Sequence, residues 1–274
     1  MNIQNYFVAR YPNTFAEFDY AQLEIRVLAL ASMDKQLILD INNGQDMHTY
    51  FASKIYNKPE KDINFGERKV AKGFSFQLQY GAGAKGIARF WDVKEELTKA
   101  FIDEYYTRYP QVHAWQKRVQ KEAEDSLVHK GDRKDGESVP RFYIPGIWRD
   151  DSGRAITHFA VAGDISKYKN TAYVSPTKCK NYPIQGAASD IMMLMLNRLS
   201  KYALDKPITL LNTVHDSVLC EIPEKDSEDI AKRIADLLKG VPKAISETFG
   251  VKSPIEFPVD YSMGLTLLEV KHNV

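Results

Sequence analysis

The sequence is poor in cysteine and has no excess of charge of either sign. Its two cysteines, Cys179 and Cys220, lie far apart and outside any metal-ligand spacing. They therefore indicate reduced, structural thiols rather than a disulfide scaffold or a zinc module. Lysine and arginine number 37 against 36 acidic residues, so the formal net charge is +1. Bulk charge thus does not indicate a nucleic-acid partner, although acidic groups elsewhere can balance a basic groove.

Long apolar runs, internal repeats and low-complexity tracts are missing as well. No stretch approaches membrane-spanning length, and the first residues lack the charged-then-apolar order of a secretory signal. What remains is a chain of 274 residues, 44% hydrophobic and 27% charged. This composition is typical of a globular protein with one large domain or two smaller ones. We expect a soluble, cytoplasmic protein with no membrane partner.

Hydrophobic periodicity predicts an α+β chain with a long helical excursion. The short strands and helices follow from period-2 and period-3.6 patterns, and glycine and proline mark residues 129–180 as loops with short strands. The predicted elements are a strand over 14–19, helices from Ala21, over 67–90 and over 94–128 with a break near Pro110, a helix after Pro183, a hairpin over 208–223, a helix over 227–249 and an extended segment near 255–261.

Two carboxylates stand at positions where a metal site can form. Asp19 ends the first predicted strand, and Asp216 lies at the turn of the predicted hairpin. If these strands are neighbours in one sheet, both side chains project from the same rim. Hard oxygen ligands of this kind suit Mg²⁺, and two such ions can activate a hydroxyl and neutralise a leaving pyrophosphate. Taken singly, an aspartate in such a position is more often a helix cap or a solvated carboxylate than a metal ligand.

A stripe of cations and aromatics follows one predicted helix. Arg68, Lys72, Phe76 and Tyr80 recur every four residues, so each is offset by about 40° from the one before. The cations lie toward the helix N-terminus, where the helix dipole also attracts anions. The stripe predicts a triphosphate against the cations and a base against the aromatics. The alternative is an amphipathic helix with both aromatics in the core and both cations in solvent.

Together, four motifs resemble those of the family-A DNA polymerases in order and spacing. They are DYAQLEIR (19–26), RKVAKGFSFQLQYG (68–81), NYPIQGAASD (181–190) and VHDS (214–217). PVDYSMGLTLLEVK (258–271) also looks like the family's closing palm strand, and NIQN (2–5) like the segment before its first catalytic strand.

The resemblance implies an antiparallel-sheet palm with a mostly helical fingers insertion. It gives palm over 1–32 and 181–274, and fingers over 33–180. It also implies template-directed addition of dNTPs to the 3′-hydroxyl of a primer on primer–template DNA, with release of pyrophosphate. The protein would contribute mainly positioning and charge.

The resemblance also assigns roles to single residues. Asp19 and Asp216 would bind two Mg²⁺ ions, for which Mn²⁺ could substitute, together with the Tyr20 carbonyl. Lys72 would assist the departing pyrophosphate, and Glu24 would be the steric gate that excludes a 2′-hydroxyl. The full nucleotide-binding set is Tyr20, Gln22, Glu24, His48, Arg68, Lys72, Phe76 and Tyr80, and the set facing DNA is Asn181, Gln185 and His215.

Simpler interpretations stay open for some of these residues. His48 could be a satisfied surface histidine, and Asn181 and Gln185 could only cap the helix after Pro183. The side chain of Tyr20 is expected in the core in either case. Met192, Met193 and Met195 are predicted to be core packing.

The sequence departs from the family pattern at three places. The first is Ser217, which stands where the family usually has glutamate; one carboxylate is lost, which predicts weaker metal affinity. The second is around Phe76, where Ser75 and Gln77 replace the usual Asn and Gly. At position 76 itself, phenylalanine rather than tyrosine implies, by the same resemblance, poor use of dideoxynucleotides.

The third departure concerns the thumb, which precedes the first catalytic strand in this family. Asp19 lies close to Met1, and we therefore expect a split polymerase whose thumb and any 3′–5′ exonuclease belong to a separate N-terminal chain. SGR (152–154) and SPTKCKNYPIQG (175–186) look more like phage enzymes of the family, which predicts a viral replicase in the host cytoplasm.

Two other functions are compatible with the sequence. One is a non-catalytic DNA-binding scaffold descended from a polymerase, which intact Asp19, Asp216, Arg68 and Lys72 disfavour. The other is a single-subunit RNA polymerase, in which His-Asp-Ser also occurs. Glu24 disfavours that reading, because those enzymes need space where a gate residue would stand.

Overall fold

A computed structural model describes residues 3–127, 141–165 and 172–272 of the chain. The helices are α1 (Leu23–Ser32), α2 (Lys35–Asn42), α3 (Met47–Tyr56), α4 (Phe65–Gln79), α5 (Ala84–Trp91), α6 (Glu95–Arg108), α7 (Pro110–Ser126), α8 (Pro176–Ala203), α9 (Ser227–Leu238), α10 (Val241–Phe249) and α11 (Leu267–His272). The strands are β1 (Asn13–Tyr20), β2 (Arg141–Pro145), β3 (His158–Ala162), β4 (Asp164–Ile165), β5 (Ala172–Tyr173), β6 (Thr209–Val214), β7 (Ser217–Pro223) and β8 (Val259–Gly264).

The chain forms two compact units, and the predicted α+β class is confirmed. The first unit consists of Met1–Arg26 and Ala188–Val274, and the second of Val27–Ala187. The first contains the four-stranded sheet; the second is mostly helical and has two small two-stranded sheets within its described residues. No helix in the described ranges combines the length and the hydropathy needed to cross a membrane.

The sheet of the first unit has the strand order β6-β7-β1-β8, with every neighbouring pair antiparallel. β1 is an inner strand and is buried on both faces, so even Thr14 and Glu17 are less than 9% exposed. The predicted hairpin is confirmed as β6 and β7, with the turn at His215 and Asp216. His215 has a φ of +56°, in the left-handed region that a tight hairpin turn requires.

The second unit is built around an aromatic core. Phe51 of α3 lies 5.4 Å from Phe101 and 5.2 Å from Tyr105 of α6, measured between ring centroids. Phe74 of α4 lies 5.4 Å from Phe101 on another side. All four rings are almost completely buried. This cluster joins α3, α4 and α6, and edge-to-face contacts of this kind add to the hydrophobic contribution.

Helices α2 and α3 were not anticipated from the sequence, although both begin at a capping aspartate. The Asp34 carboxylate accepts hydrogen bonds from the backbone N–H groups of Gln36 and Leu37, and Asp46 does the same for His48 and Thr49. Such caps satisfy N–H groups that have no partner inside the helix. In each case an aspartate just before a periodic apolar run was the sequence signal that could have predicted the start of the helix.

The helix predicted over 67–90 is wrong as a single element. It is divided into α4 and α5 at Tyr80–Gly83. Gly81 has a φ of +86°, and a Cβ there would lie 2.5 Å from the backbone Cα of Thr177. Glycine thus allows both the turn and the close approach of α8. By contrast, the break predicted near Pro110 is confirmed, because α6 ends at Arg108 and α7 begins at Pro110.

The helix predicted after Pro183 begins earlier, at Pro176, and contains Pro183 in its interior. A proline inside a helix removes one N–H from the hydrogen-bond ladder, and its ring crowds the carbonyl four residues earlier. Cys179, Pro183 and Ala187 are spaced four apart and are all buried, so an apolar stripe continues through the proline and packing holds the helix together. Residues 176–180 are consequently helical rather than loop. Within this helix, Met192 and Met195 are buried as predicted, whereas Met193 is 64% exposed.

The remaining loop prediction is partly confirmed, since β2 to β5 are the expected short strands. The parts of that segment over 129–140 and 166–171, the last residue of the helix predicted over 94–128, and Asn2 of the opening motif lie outside the described residues.

The C-terminal predictions are corrected in two places. The helix predicted over 227–249 is two helices, α9 and α10, separated at Lys239 and Gly240. Pro242 lies in the first turn of α10, a position that tolerates its missing N–H. The segment likened to a closing strand is β8 only as far as Gly264, and α11 follows it.

Candidate active site

The first unit brings the two predicted metal-binding aspartates to one rim of its sheet. Asp19 of β1 is directly opposite Ser217, the residue that follows Asp216. The Tyr20 N–H donates to the Asp216 carbonyl across the same rim at 3.2 Å. The pKa of Asp19 is raised to about 6, first by burial and then by the charges of Asp216 and Glu17 and a hydrogen bond with Asp216, while the Lys271 charge opposes this shift. The two carboxylates are therefore close enough to repel each other.

This pair fits a divalent cation. Two adjacent carboxylates in a partly desolvated position are unfavourable unless a cation or a proton lies between them. Among the described residues, no group of three or more His, Cys, Asp or Glu side chains is placed so that it could hold a metal ion by itself. Water, phosphate oxygens or a backbone carbonyl would complete the coordination, as is usual for Mg²⁺. The Tyr20 carbonyl lies next to Asp19 in the chain.

The side chain of Tyr20 is structural. It is 2% exposed, and its hydroxyl donates to the Leu238 carbonyl of α9 at 2.7 Å. This confirms the expected core position and ties the end of β1 to the helix behind the sheet.

Sequence reasoning missed two charged residues beside the aspartates. Glu17 lies two residues before Asp19, on the same face of β1, and is 4% exposed. Its carboxylate accepts a hydrogen bond from the Ser217 hydroxyl at 2.9 Å and forms an ion pair with the Lys271 ammonium. An acidic residue inside an otherwise apolar strand was the signal for Glu17. No sequence pattern points to Lys271, because α11 brings it there.

The start of α1 carries Gln22 and Glu24. Gln22 is exposed, with a φ of +55°, and Glu24 lies half-buried in the first helical turn. Arg26 anchors this turn, because its guanidinium donates to the carbonyls of Ala21 and Glu256 at 2.8 and 2.7 Å. The exposed His215 at the hairpin turn belongs to the same unit.

In the second unit, α4 buries one face and exposes the predicted stripe. A capping box between Asn64 and Glu67 fixes its first turn. Phe74 and Leu78 are buried, while Phe76 is 38% exposed. The alternative that placed Phe76 in the core is therefore wrong, because Phe74 fills that position.

The two cations of the stripe have different partners. Arg68 donates from Nε to the Asp46 carboxylate at 2.7 Å, and Asp46 is also the cap of α3. The Lys72 ammonium lies 5.6 Å from the centroid of the Phe76 ring. Tyr80 is half-buried at the C-terminal end of α4. Arg68, Lys72 and Phe76 thus lie along one helix side.

His48 is buried against this stripe, so the alternative interpretation of it as a surface histidine is wrong. It is 8% exposed, and its ring centroid lies 6.1 Å from that of Phe76. Among the described residues, its Nδ1 has no hydrogen-bond partner. The pKa of His48 is lowered to about 4, chiefly by burial; the Asp46 charge opposes this shift, and the charges of Arg68 and Lys72 add to it. The imidazole is neutral at pH 7.

Asn181 and Gln185 lie within α8 and do not cap a helix, which removes that alternative. They are four residues apart and so share a helix face. Asn181 is half-buried and Gln185 is exposed. Both belong to the second unit, together with His48 and the α4 stripe, whereas the aspartates, Gln22, Glu24 and His215 belong to the first.

Comparison with known proteins gives a consistent family. The sequence model described as DNA polymerase family A matches residues 1–266. The thermostable DNA polymerase I of Thermus aquaticus is 26% identical over 267 residues, which is 96% of this chain and 28% of that protein. DNA polymerase I of Lactococcus lactis subsp. cremoris is 29% identical over 277 residues, with 98% and 28% covered. The chain therefore spans just over a quarter of the length of these relatives.

A similar fold occurs among solved structures. The POL domain of Pol1 from M. smegmatis, solved in complex with DNA primer-template and dNTP, matches with a TM-score of 0.74. The match has 23% sequence identity and covers 98% of this chain and 43% of that one. This likeness establishes the shared polymerase-domain fold.

Proposed function

This chain belongs to DNA polymerase family A, and on that premise we propose that it is the catalytic portion of a template-directed DNA polymerase. It adds dNTPs to the 3′-hydroxyl of a primer and releases pyrophosphate. The observation that carries the proposal is the adjacent pair of carboxylates, Asp19 and Asp216, on the rim of an antiparallel sheet. We assign the first unit as palm and the second as fingers.

Members of the family use divalent metal ions. We propose that Asp19 and Asp216, with the Tyr20 carbonyl, hold two Mg²⁺ ions, for which Mn²⁺ can substitute. When bound, such ions supply activation of the primer hydroxyl and charge neutralisation of the leaving pyrophosphate. The aspartates contribute by holding negative charge at fixed positions on a rigid rim, which the sheet and the Tyr20 hydroxyl maintain.

The stripe on α4 is proposed to bind the incoming dNTP. Arg68 exchanges its Asp46 partner for phosphate oxygens, and Lys72 donates to the departing pyrophosphate. His48, with a neutral imidazole, donates one hydrogen bond to the triphosphate. Phe76 offers an exposed aromatic face to the base, and Tyr80 lies one turn farther along, toward the template.

The remaining residues are proposed to recognise sugar and DNA. Glu24, held at the start of α1 by the Arg26 anchor, lies under the sugar and excludes a 2′-hydroxyl. Gln22, Asn181, Gln185 and His215 contact the sugar, the minor groove or the primer. Each of them has an amide or imidazole group, which can donate to the acceptors that the minor groove presents.

Primer extension tests the proposal. A short labelled primer–template is incubated with dNTPs and Mg²⁺ at low salt, using the chain, Asp216→Ala and Asp229→Ala. Asp229 is an exposed carboxylate of α9 that pairs with Arg233, so it is a matched control. We expect template-directed extension that falls at least about a hundredfold in Asp216→Ala and stays unchanged in Asp229→Ala.

Other outcomes identify the alternatives. Extension that survives Asp216→Ala contradicts the assigned site. A folded chain that binds the DNA but does not extend it supports the scaffold. Equal use of ribonucleotides supports the RNA polymerase. A second series tests the prediction of a separate thumb-bearing chain. It adds a polypeptide that corresponds to the part of the relatives that this chain does not cover. A large gain in primer extension would support that prediction.

A further inference from the structure

Two residues in from the sheet rim, β1 carries a buried acidic side chain that the proposed chemistry does not use. Glu17 is on the same face of β1 as Asp19, and it is almost completely buried. Burying a carboxylate costs free energy unless hydrogen bonds or an opposite charge compensate it. A glutamate at this position therefore requires specific partners, and the structure supplies two.

The two partners come from elements far apart in the sequence. The Ser217 hydroxyl, at the start of β7, donates to Oε1 of Glu17 at 2.9 Å. The Lys271 ammonium, from α11, pairs with the same oxygen. Ser217 also lies 3.1 Å from the Val214 carbonyl, which is an alternative acceptor for its single proton. Glu17 is thus fixed directly beside the residue that is opposite Asp19.

The charges of this group do not balance. Those that act most strongly on Asp19 are the negative charges of Asp216 and Glu17 and the positive charge of Lys271. These three carboxylates and one ammonium carry a net charge near −2, and Asp260 of β8, directly opposite Asp19, adds a further carboxylate at this rim. The negative excess favours binding of a divalent cation, and removal of Glu17 would reduce it by one unit charge.

We propose that Glu17 is a positioning residue of the metal site, held by Ser217 and Lys271 so that its charge strengthens cation binding at Asp19 and Asp216. It acts through the field and not as a ligand. It thereby compensates for Ser217, which stands where the family resemblance implies an acidic residue. The carboxylate has in effect moved from the hairpin to the neighbouring strand. This inference rests on the proposed function only in placing the cation at the two aspartates.

Direct measurement of Mn²⁺ binding tests the inference. The full chain is titrated with Mn²⁺ at pH 8 without DNA or dNTP, and the free ion is followed by electron paramagnetic resonance. We expect Glu17→Gln to raise the Kd about fivefold and Lys271→Gln to lower it about threefold, as expected for loss of a unit charge of either sign near a divalent ion. Thermal unfolding of each variant is recorded alongside.

The opposite changes in Kd expected for the two variants distinguish an electrostatic role of Glu17 from a purely structural one. Both substitutions break the same ion pair, so a purely structural role would weaken Mn²⁺ binding in both variants. That result, or an unchanged Kd in Glu17→Gln, overturns the inference. Asp216→Ala gives the reference for lost binding. If Mn²⁺ binding does not depend on Asp216, the proposed metal site fails. If it does depend on Asp216 but not on Glu17, only this inference fails.

A transposed variant gives a second, independent test, in which the double variant is compared with the original chain as well as with the single variant. Glu17→Ala combined with Ser217→Glu returns the carboxylate to the hairpin. We expect this double variant to regain Mn²⁺ affinity to within about twofold of the original chain, while Glu17→Ala alone has the full loss. Equal losses in the single and the double variant contradict the proposal.

Discussion

At the scale of single residues, the first unit concentrates negative charge where ordinary packing would avoid it. The negative charges of Asp216 and Glu17 raise the pKa of Asp19, and the positive charge of Lys271 lowers it. Such an arrangement lowers stability unless a ligand compensates it, which is how functional sites commonly differ from the rest of a fold. The second unit places its cations, Arg68 and Lys72, on one exposed helix side. Each unit therefore gathers side chains of one charge sign in a small area.

The raised pKa of Asp19 predicts a pH-dependent stability in the absence of divalent cations. Its folded pKa of about 6 exceeds the ordinary value of 3.8. Between these values the folded chain keeps a proton that the unfolded chain has released, so the free energy of unfolding should fall as pH rises through this window. Urea denaturation in EDTA, at a series of pH values from 4 to 7.5, measures this slope. Asp19→Asn should remove part of it, and an identical slope in the variant would disprove the assignment.

At the scale of elements, α4 and α5 depend on one close approach. Gly73 of α4 faces Trp91 of α5, and a Cβ at Gly73 would lie 1.9 Å from Cζ2 of the indole. Trp91 also packs edge-to-face on Phe74, with 6.3 Å between ring centroids. The helix that carries the cation stripe is therefore held by a contact that only glycine permits. The neighbouring residues in the chain are Lys72 and Phe74, so this contact also positions the stripe.

Replacing Gly73 by alanine should disrupt this packing. The free energy of unfolding is expected to fall by about 2 kcal/mol or more, because the overpacked contact outweighs the higher helix propensity of alanine. Gly86→Ala in α5 is the matched control, since nothing lies within 4 Å of its added Cβ. The control should gain up to about 1 kcal/mol. Urea denaturation compares the two, and equal stabilities would contradict the close approach.

At the scale of the whole molecule, each compact unit contains one buried thiol. Cys220 lies in β7 of the first unit and Cys179 in α8 of the second, and both are completely buried. Burial raises the pKa of each thiol to about 12. Neither forms a disulfide, as predicted. The two side chains therefore report on the two units separately.

Thiol labelling should show this separation. At pH 8 in native buffer we expect neither cysteine to react with a chromogenic disulfide reagent, because the reactive thiolate is neither populated nor accessible. In guanidinium chloride, two equivalents should react. Cys179→Ser and Cys220→Ser then assign the remaining signal to one unit along a denaturant series. Rapid labelling of either thiol in native buffer would show that its surroundings are not packed as described.

The sequence by itself determined the features that depend on short-range periodicity. β1, the β6–β7 hairpin and the α6–α7 break at Pro110 could be predicted because alternation, turn residues and proline act within a few positions. The same local patterns placed Asp19 near a strand end and Asp216 at a turn, and the motif order indicated the family. The functional roles of the individual residues remain predictions.

Tertiary structure alone decided which residues are buried together. α8 continues through Pro183 because its apolar stripe is packed, and the break at Gly81 exists because Thr177 approaches it. His48 is buried against Phe76, and Lys271 reaches Glu17 across 254 residues of sequence. None of these contacts has a local signal, since burial depends on elements that are distant in the chain. Local sequence therefore set the elements, and long-range packing set the electrostatic environment of the site.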